Sequence, residues 1–335
     1  MERKSIVAIG DVCHCAYVNR TRHVYTMIKY FTHQNPAWKL GNRAAAKYLL
    51  LATLLFTALF LLYVGLPVGL DWRNNSRPAA FAVPIGLDWF QSILPAVQVF
   101  LAGGNPYAIA EGYYRAPFPF WTFLALAPFA LLPYWVGRVL LFISSILAFS
   151  LTARKMGADL IQLTLFLTSS AVVGCLNNGN IDWLVTLGLW MPPQVGLFFV
   201  LIKPQIGIGI ALYWLRNAWG QGGIRQVVKT FLPISLGYLA SFILYGSWLQ
   251  LGTYGTNPDN MSAFPWVMPI GGFLLGYGLM NRKKDLSIFS GALLAPYVSQ
   301  FSYAASLLPL FHRKRLFLLA WVLLWIPVIV RVLTP

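Results

Sequence analysis

After residue 47 the chain is a succession of long apolar runs divided by short polar or Gly- and Pro-rich breaks. Tyr48 to Leu70 is the first run. Phe118 to Pro133 and Tyr134 to Ala153 read as a hairpin pair with its bend near Pro133, and Leu160 to Leu176 follows. Trp183 to Met191 and Gln194 to Leu215 are divided by Pro192-Pro193, and Lys203-Pro204-Gln205 lies inside the second. Thr230 to Trp248, Pro265 to Met280, Leu286 to Phe311 and Leu316 to Leu333 complete the set. A helix of roughly 20 apolar residues crosses a hydrocarbon layer, so these runs predict an all-α polytopic integral membrane protein with about ten transmembrane helices. Residues 286 to 311 carry Pro296 and the polar pair Ser299-Gln300 in mid-run, which predicts two short half-helices dipping to the outer face and back.

The stretch from Gly86 to Trp121 does not fit this series. It is too polar and too rich in Gly and Pro to cross a bilayer, yet Leu87, Phe90, Ile93, Leu94, Val97 and Leu101 recur at helical spacing, with Gln91, Ser92 and Gln98 opposite. That pattern predicts an amphipathic helix lying in the membrane surface, with Asp88 at its start and the turn Gly103-Gly104-Asn105-Pro106-Tyr107 at its end. Just before it the chain repeats itself, Pro67-Val68-Gly69-Leu70-Asp71-Trp72 returning as Pro84-Ile85-Gly86-Leu87-Asp88-Trp89.

Composition agrees with the pattern: 335 residues are 58% hydrophobic and 10% charged, against roughly a quarter charged in soluble domains. The net charge of +16 comes from cations at the ends of apolar runs with no aromatic-interleaved patch, so it argues for positive-inside topology and anionic membrane lipids and against nucleic acid. Residues 1 to 47 are a basic segment without the short apolar core of a signal peptide, and read as cytoplasmic. Residues 48 to 335 form one membrane domain, whose outer loop 71 to 117 holds Asp71, Asp88 and Glu111, three of only nine acidic residues. Alternation of spans puts Arg216, Arg225 and Lys229 in a cytoplasmic loop and leaves Arg154-Lys155 outside, against the positive-inside tendency.

The candidate chemistry follows from these placements. Asp88 has two readings: a helix cap, with Gln91 completing a capping box, or a general base at the lip of a cavity, a role for which Asp71 competes. Lys203, a cation inside an apolar run, has to face a partner or a wet cavity, and a lipid phosphate would satisfy it unless it snorkels to an interface. Arg115 and Arg138 are further phosphate candidates. Asn177, Asn178, Asn180 and Asp182 break the apolar pattern and either bind a polar ligand or cap two helix ends. Tyr107, Tyr113, Tyr114, Trp121 and Trp266 are able to stack on sugar faces, although aromatic belts occur at every membrane boundary. Cys13-His14-Cys15 matches no common zinc spacing, and no acidic pair or phosphate-cradling glycine loop suggests a metal or other cofactor.

Asp88 at the start of an interfacial helix, then Gly104-Asn105-Pro106-Tyr107, Pro117-Phe118-Pro119, Gly179-Asn180, Lys203-Pro204 and Pro296 together resemble the GT-C superfamily of polytopic glycosyltransferases. More narrowly, they resemble the bacterial polyprenyl-phosphate-mannose-dependent mannosyltransferases. The resemblance covers roughly residues 50 to 310 and implies an inverting, metal-independent hexosyltransferase of the bacterial plasma membrane, taking a sugar from a polyprenyl-phosphate donor to a lipid or glycan acceptor. Asp88 would be the base and Lys203 or an arginine would hold the leaving phosphate, with Asn105, Tyr107, Arg115, Asn180, Asp182 and Gln300 around the substrates. The chain departs from the family in its Asn177-Asn178-Gly179-Asn180 loop, where Gly-Gln-x-Asn is usual, and in having no His after Pro296. Two other classes stand beside this one: a non-catalytic subunit or inactive relative, and a carrier of a lipid-linked or small polar solute, for which an inverted repeat would be expected.

Overall fold

The computed structural model describes residues 86–108, 116–248 and 260–333. The basic segment 1 to 47, the first apolar run, Asp71, Glu111 and Arg115 lie outside the described residues. Among the described residues the regular structure is entirely helical. In chain order the helices are α1 (Trp89–Leu101), α2 (Phe120–Ala130), α3 (Tyr134–Lys155), α4 (Leu160–Leu167), α5 (Ser170–Asn178), α6 (Asp182–Gly188), α7 (Pro193–Val200), α8 (Pro204–Tyr245), α9 (Met268–Met280) and α10 (Lys284–Leu294). A 3₁₀ turn (Gln300–Ser302) leads into α11 (Tyr303–Leu307), and α12 (Lys314–Leu333) closes the chain.

Three of the apolar runs among the described residues, Leu160 to Leu176, Gln194 to Leu215 and Leu286 to Phe311, are divided rather than continuous. Among the described residues only α3 and α8 are long and apolar enough to cross a membrane, and α4 with α5, bent by 51°, would make a third such element. The expected ten crossings are therefore not displayed as ten spanning helices. The divisions have local causes. Asp159 caps α4 and its Gln162 returns the bond, a complete capping box. Pro192 and Pro193 start α7, and Pro204 starts α8, where a proline costs no helical hydrogen bond. The run from Gln194 to Leu215, expected as one helix, is thus broken at Leu201–Lys203, and Lys203 stands in the break.

Helix α8 is a hairpin. At 1.5 Å per residue it would be about 63 Å long if straight, but the Tyr238 hydroxyl donates to the carbonyl of Leu201 at 2.6 Å, just before the helix begins. The chain reverses at Gly222–Gly223, where Gly223 takes φ +55°, a conformation that side-chain-bearing residues rarely adopt. The loop expected around Arg216, Arg225 and Lys229 is therefore this two-residue turn, and those three cations sit on its helical arms.

The predicted interfacial helix is present as α1 but presents a different face. Pro95 lacks an N–H and its ring crowds the carbonyl four residues back, so the turn before it opens to a π-turn in which Leu94 N–H donates to Trp89 O. The wider turn rotates the register. Ile93, Leu94 and Val97 are buried as the stripe predicts, but Trp89, Ser92 and Ala96 join them, whereas Phe90 is half-buried and Leu101 exposed. This face packs into the protein core, where Trp89 alone contributes roughly 2–3 kcal/mol of apolar burial.

Candidate functional site

The site begins with a helix end. Helix α5 closes on Gly179 in the left-handed conformation (φ +66°), and the next N–H, that of Asn180, donates to Cys175 O at 3.0 Å, a Schellman closure. A Cβ on Gly179 would stand 2.7 Å from Cβ of Trp89, so the glycine also admits α1. Gly86 N–H donates to Asn177 O at 2.6 Å and fixes the entrance to α1 on the same loop. Two segments about ninety residues apart are thereby seated on each other, with Asp88 over Asn180.

Asn180 Nδ2 donates to Asp88 Oδ2 at 2.6 Å. Its Oδ1 accepts from Lys203 Nζ at 2.8 Å and from Ile181 N–H at 2.7 Å. Because an ammonium and a backbone amide can only donate, the carboxamide has one allowed orientation. Lys203 also pairs with Asp182 Oδ2 at 2.6 Å, and Asp182 Oδ1 accepts from Ser302 Oγ at 3.1 Å, which lies 2.9 Å from Ser299 Oγ. The Lys203 ammonium sits 6.0 Å from the centroid of the Phe118 ring. A single polar chain thus runs Asp88–Asn180–Lys203–Asp182–Ser302–Ser299 through four separate segments.

The two carboxylates of this chain are not equivalent. Asp182 is 1% exposed and both of its oxygens are engaged, which makes it the counterion that keeps Lys203 in an apolar interior. Asp88 is only partly buried and is the less enclosed of the two carboxylates. It does not cap α1: its own backbone is already helical and its side chain makes no capping bond, so the capping-box reading of Asp88 and Gln91 is set aside. Of the two capping and binding roles open to Asn180, the structure displays the first through the Schellman closure, while leaving its side chain to join Asp88 and Lys203.

The other predicted residues divide clearly. Asn105 Oδ1 accepts from Tyr107 N–H at 3.0 Å and so shapes its own turn. Tyr107 is buried, donates to Phe118 O at 2.6 Å and stacks on Trp248 with centroids 5.6 Å apart. Burial pushes its phenol well above the ordinary tyrosine range, so it stays a neutral donor. It borders the network through Phe118, and the Trp121 ring is likewise turned inward, its Nε1 donating to Phe198 O. Trp266 is 86% exposed. Gln300 begins the 3₁₀ turn, half-buried, but the side chain from that turn that enters the network is Ser302, which the sequence pattern did not single out. The signal lies in the polar break itself, Ser299-Gln300-Phe301-Ser302, whose three-residue spacing returns Ser299 and Ser302 to one face of a 3₁₀ turn. Arg138, from the first turns of α3, is buried with its guanidinium against Gly86, two residues before Asp88.

Among the described residues no group of three or more His, Cys, Asp or Glu side chains is placed to hold a metal ion. No model of a known family matches this chain, and no curated protein or solved structure matches it either.

Proposed function

We propose that the chain is a membrane glycosyltransferase that moves a hexose, mannose by resemblance, from a polyprenyl-phosphate donor to a lipid or glycan acceptor at the outer membrane face. The observation that carries this reading is the junction of Asp88 and Lys203 through one carboxamide. A transferase of this class needs a carboxylate to take the acceptor proton and a cation to receive the leaving phosphate close to one reacting sugar. Asp88 takes the proton of the acceptor hydroxyl as that oxygen attacks the anomeric carbon, and the sugar–phosphate bond breaks with inversion. Two of the three Lys203 N–H bonds are directed at Asn180 and Asp182, and in this reading the third meets the departing phosphate. The buried Arg138, lying beside the Asp88 segment, adds a second cation to the same neighbourhood. Embedding in a bilayer fits the large apolar side chains exposed along the second arm of α8, along α9 and along α12, among them Ile243, Phe273 and Leu323.

The closeness of the Asp182–Lys203 pair also suits a second reading, in which the network only rivets four segments of a non-catalytic relative together. The experiment that separates the two uses the purified full chain in proteoliposomes with polyprenyl-phosphate-linked radiolabelled mannose and total membrane lipids. Transfer lost in Asp88→Asn and kept in Asp71→Asn supports the transferase. Donor binding without transfer by either form supports the non-catalytic relative, and uptake of solute without transfer supports a carrier.

A further inference from the structure

The end of the molecule remote from Asp88 gathers its cations. Along α3, Arg154 lies about 24 Å from Arg138, and along the first arm of α8, Gly220 lies about 26 Å from Lys203. Two independent helices thus place the candidate site and a second level of the molecule roughly one hydrocarbon thickness apart. At that second level the guanidinium of Arg282 comes within 3.8 Å of the Cβ position of Gly220. The turn between α3 and α4 meets the turn before α12 there: Lys314 Nζ pairs with Asp159 Oδ2 at 2.7 Å, and the His312 ring lies 3.2 Å from the Cβ position of Gly157. The turn between α6 and α7 dips toward the same end, where Lys155 lies over the Trp190 ring at 5.7 Å and Lys284 donates to Leu189 O at 2.5 Å.

This convergence corrects the placement of Arg154-Lys155. Simple alternation sets them on the outer face, whereas α3 carries them away from the Asp88 level to the same turns as His312–Arg315. Arg154, Arg282, Lys283, Arg313 and Arg315 are all exposed. Against them stand Asp159, already held by Lys314, and Asp285. The result is a basic rim beside exposed apolar helix surface, with the half-buried indole of Trp190 between its turns.

We propose that this rim is a binding surface for anionic phospholipid headgroups of the leaflet opposite the candidate site, their phosphodiesters bridging the turns that precede α4, α10 and α12. The charge complementarity is specific to a bilayer source: the cations are spread along a rim at one level, as a sheet of headgroups is, rather than closed around one ion. The inference rests on embedding in a membrane and not on sugar transfer, so either can fail alone.

The test titrates the purified full chain in neutral detergent with phosphatidylglycerol, phosphatidylcholine or inorganic phosphate, and reads the unfolding temperature. Phosphatidylglycerol is expected to raise it and the other two to leave it unchanged. Each exposed cation removed should weaken the apparent lipid affinity roughly fivefold, so Lys283→Gln/Arg313→Gln/Arg315→Gln should lose about a hundredfold while unfolding as the parent does without lipid. Should that variant not fold, the parent's lipid response is expected to shrink as sodium chloride rises from roughly 0.05 to 0.5 M. An equal rise with phosphatidylcholine, a rise with inorganic phosphate alone, or a response unchanged by both substitution and salt would overturn the proposal and leave the cations as topology signals only.

Discussion

Asp88 and Lys203 hold the two ends of the same carboxamide: Asn180 donates to the carboxylate at 2.6 Å and accepts from the ammonium at 2.8 Å. The consequence is that position 180 can be changed in ways that separate its two duties. Asn180→Asp keeps the shape and an acceptor for Lys203 but sets a carboxylate against Asp88, whose charge then has a repulsive neighbour in place of a donor. Asn180→Leu removes both bonds.

The first prediction compares these with Asp88→Asn in the mannose-transfer assay. Asp88→Asn is expected to lower turnover about 10²–10⁴-fold, the usual worth of a general base, with little change in unfolding temperature. Asn180→Asp is expected to retain measurable turnover with its pH optimum displaced upward, because the added negative charge holds a proton on the carboxylate pair more tightly. An unshifted pH profile would separate Asn180 from the chemistry.

A second prediction concerns the buried ion pair. Lys203→Met leaves Asp182 charged and 1% exposed, with the Ser302 hydroxyl still donating to it but no cation beside it, and is expected to cost about 3–5 kcal/mol of stability. Adding Asp182→Leu to it should recover most of that loss, since a well-packed apolar pair is often as stable as a buried ionic one. Thermal unfolding of the full chain in detergent, run as a double-mutant cycle, checks this. Single and double variants losing stability additively would show that the two charges do not rely on each other.

The loop that seats α1 gives a third prediction. Gly179→Ala puts a methyl 2.7 Å from Trp89 Cβ at a left-handed residue. Steric displacement of α1 and the strained conformation together are expected to cost about 1–3 kcal/mol, and to lower transfer because Asp88 leaves Asn180. Accessibility of Asp88 to a water-soluble carbodiimide reports the displacement directly: labelling should rise in Gly179→Ala. Unchanged labelling would mean that α1 does not depend on this close approach.

How much of this is readable in the sequence depends on the kind of signal. Asp88, Asn180, Asp182 and Lys203 are polar groups in an apolar chain, and the cost of leaving them unpaired makes them conspicuous among their neighbours; that cost also forces them together. The hairpin at Pro133 and the half-helices around Pro296 follow from proline and are present as α2–α3 and α10–α11. Periodicity misjudges α1 because one proline opens a single turn and rotates everything before it. It also misses the divisions at Thr168–Ser169 and at Leu201–Lys203, since short apolar helices with tight breaks have the same composition as one long span. The position of Arg154-Lys155 depends on counting spans, and one miscounted half-helix sets that pair apart from the later cations it lies beside.

The last prediction lies at the basic rim, where Asp159 has two roles. Its carboxylate caps α4 through Gln162 N–H at 2.8 Å and pairs with Lys314 at 2.7 Å, and the Lys314 bond first, then the capping bond, hold its pKa below the ordinary aspartate value. A carboxylate whose folded pKa is depressed contributes stability above its unfolded pKa and loses it as pH falls through the folded one. The contribution should therefore be complete at neutral pH and decline below about pH 4. Both partners are largely exposed, so the ion pair itself is worth only about 0.2–1 kcal/mol and less at high salt. Asp159→Asn keeps the cap and loses the pair, whereas Asp159→Ala loses both and should cost about 1 kcal/mol more. The unfolding temperature of the three proteins between pH 7 and pH 3 is the measurement. Convergence of the parent toward Asp159→Asn at the acid end is expected, and a gap that persists at pH 3 would assign the stabilisation to packing rather than to charge.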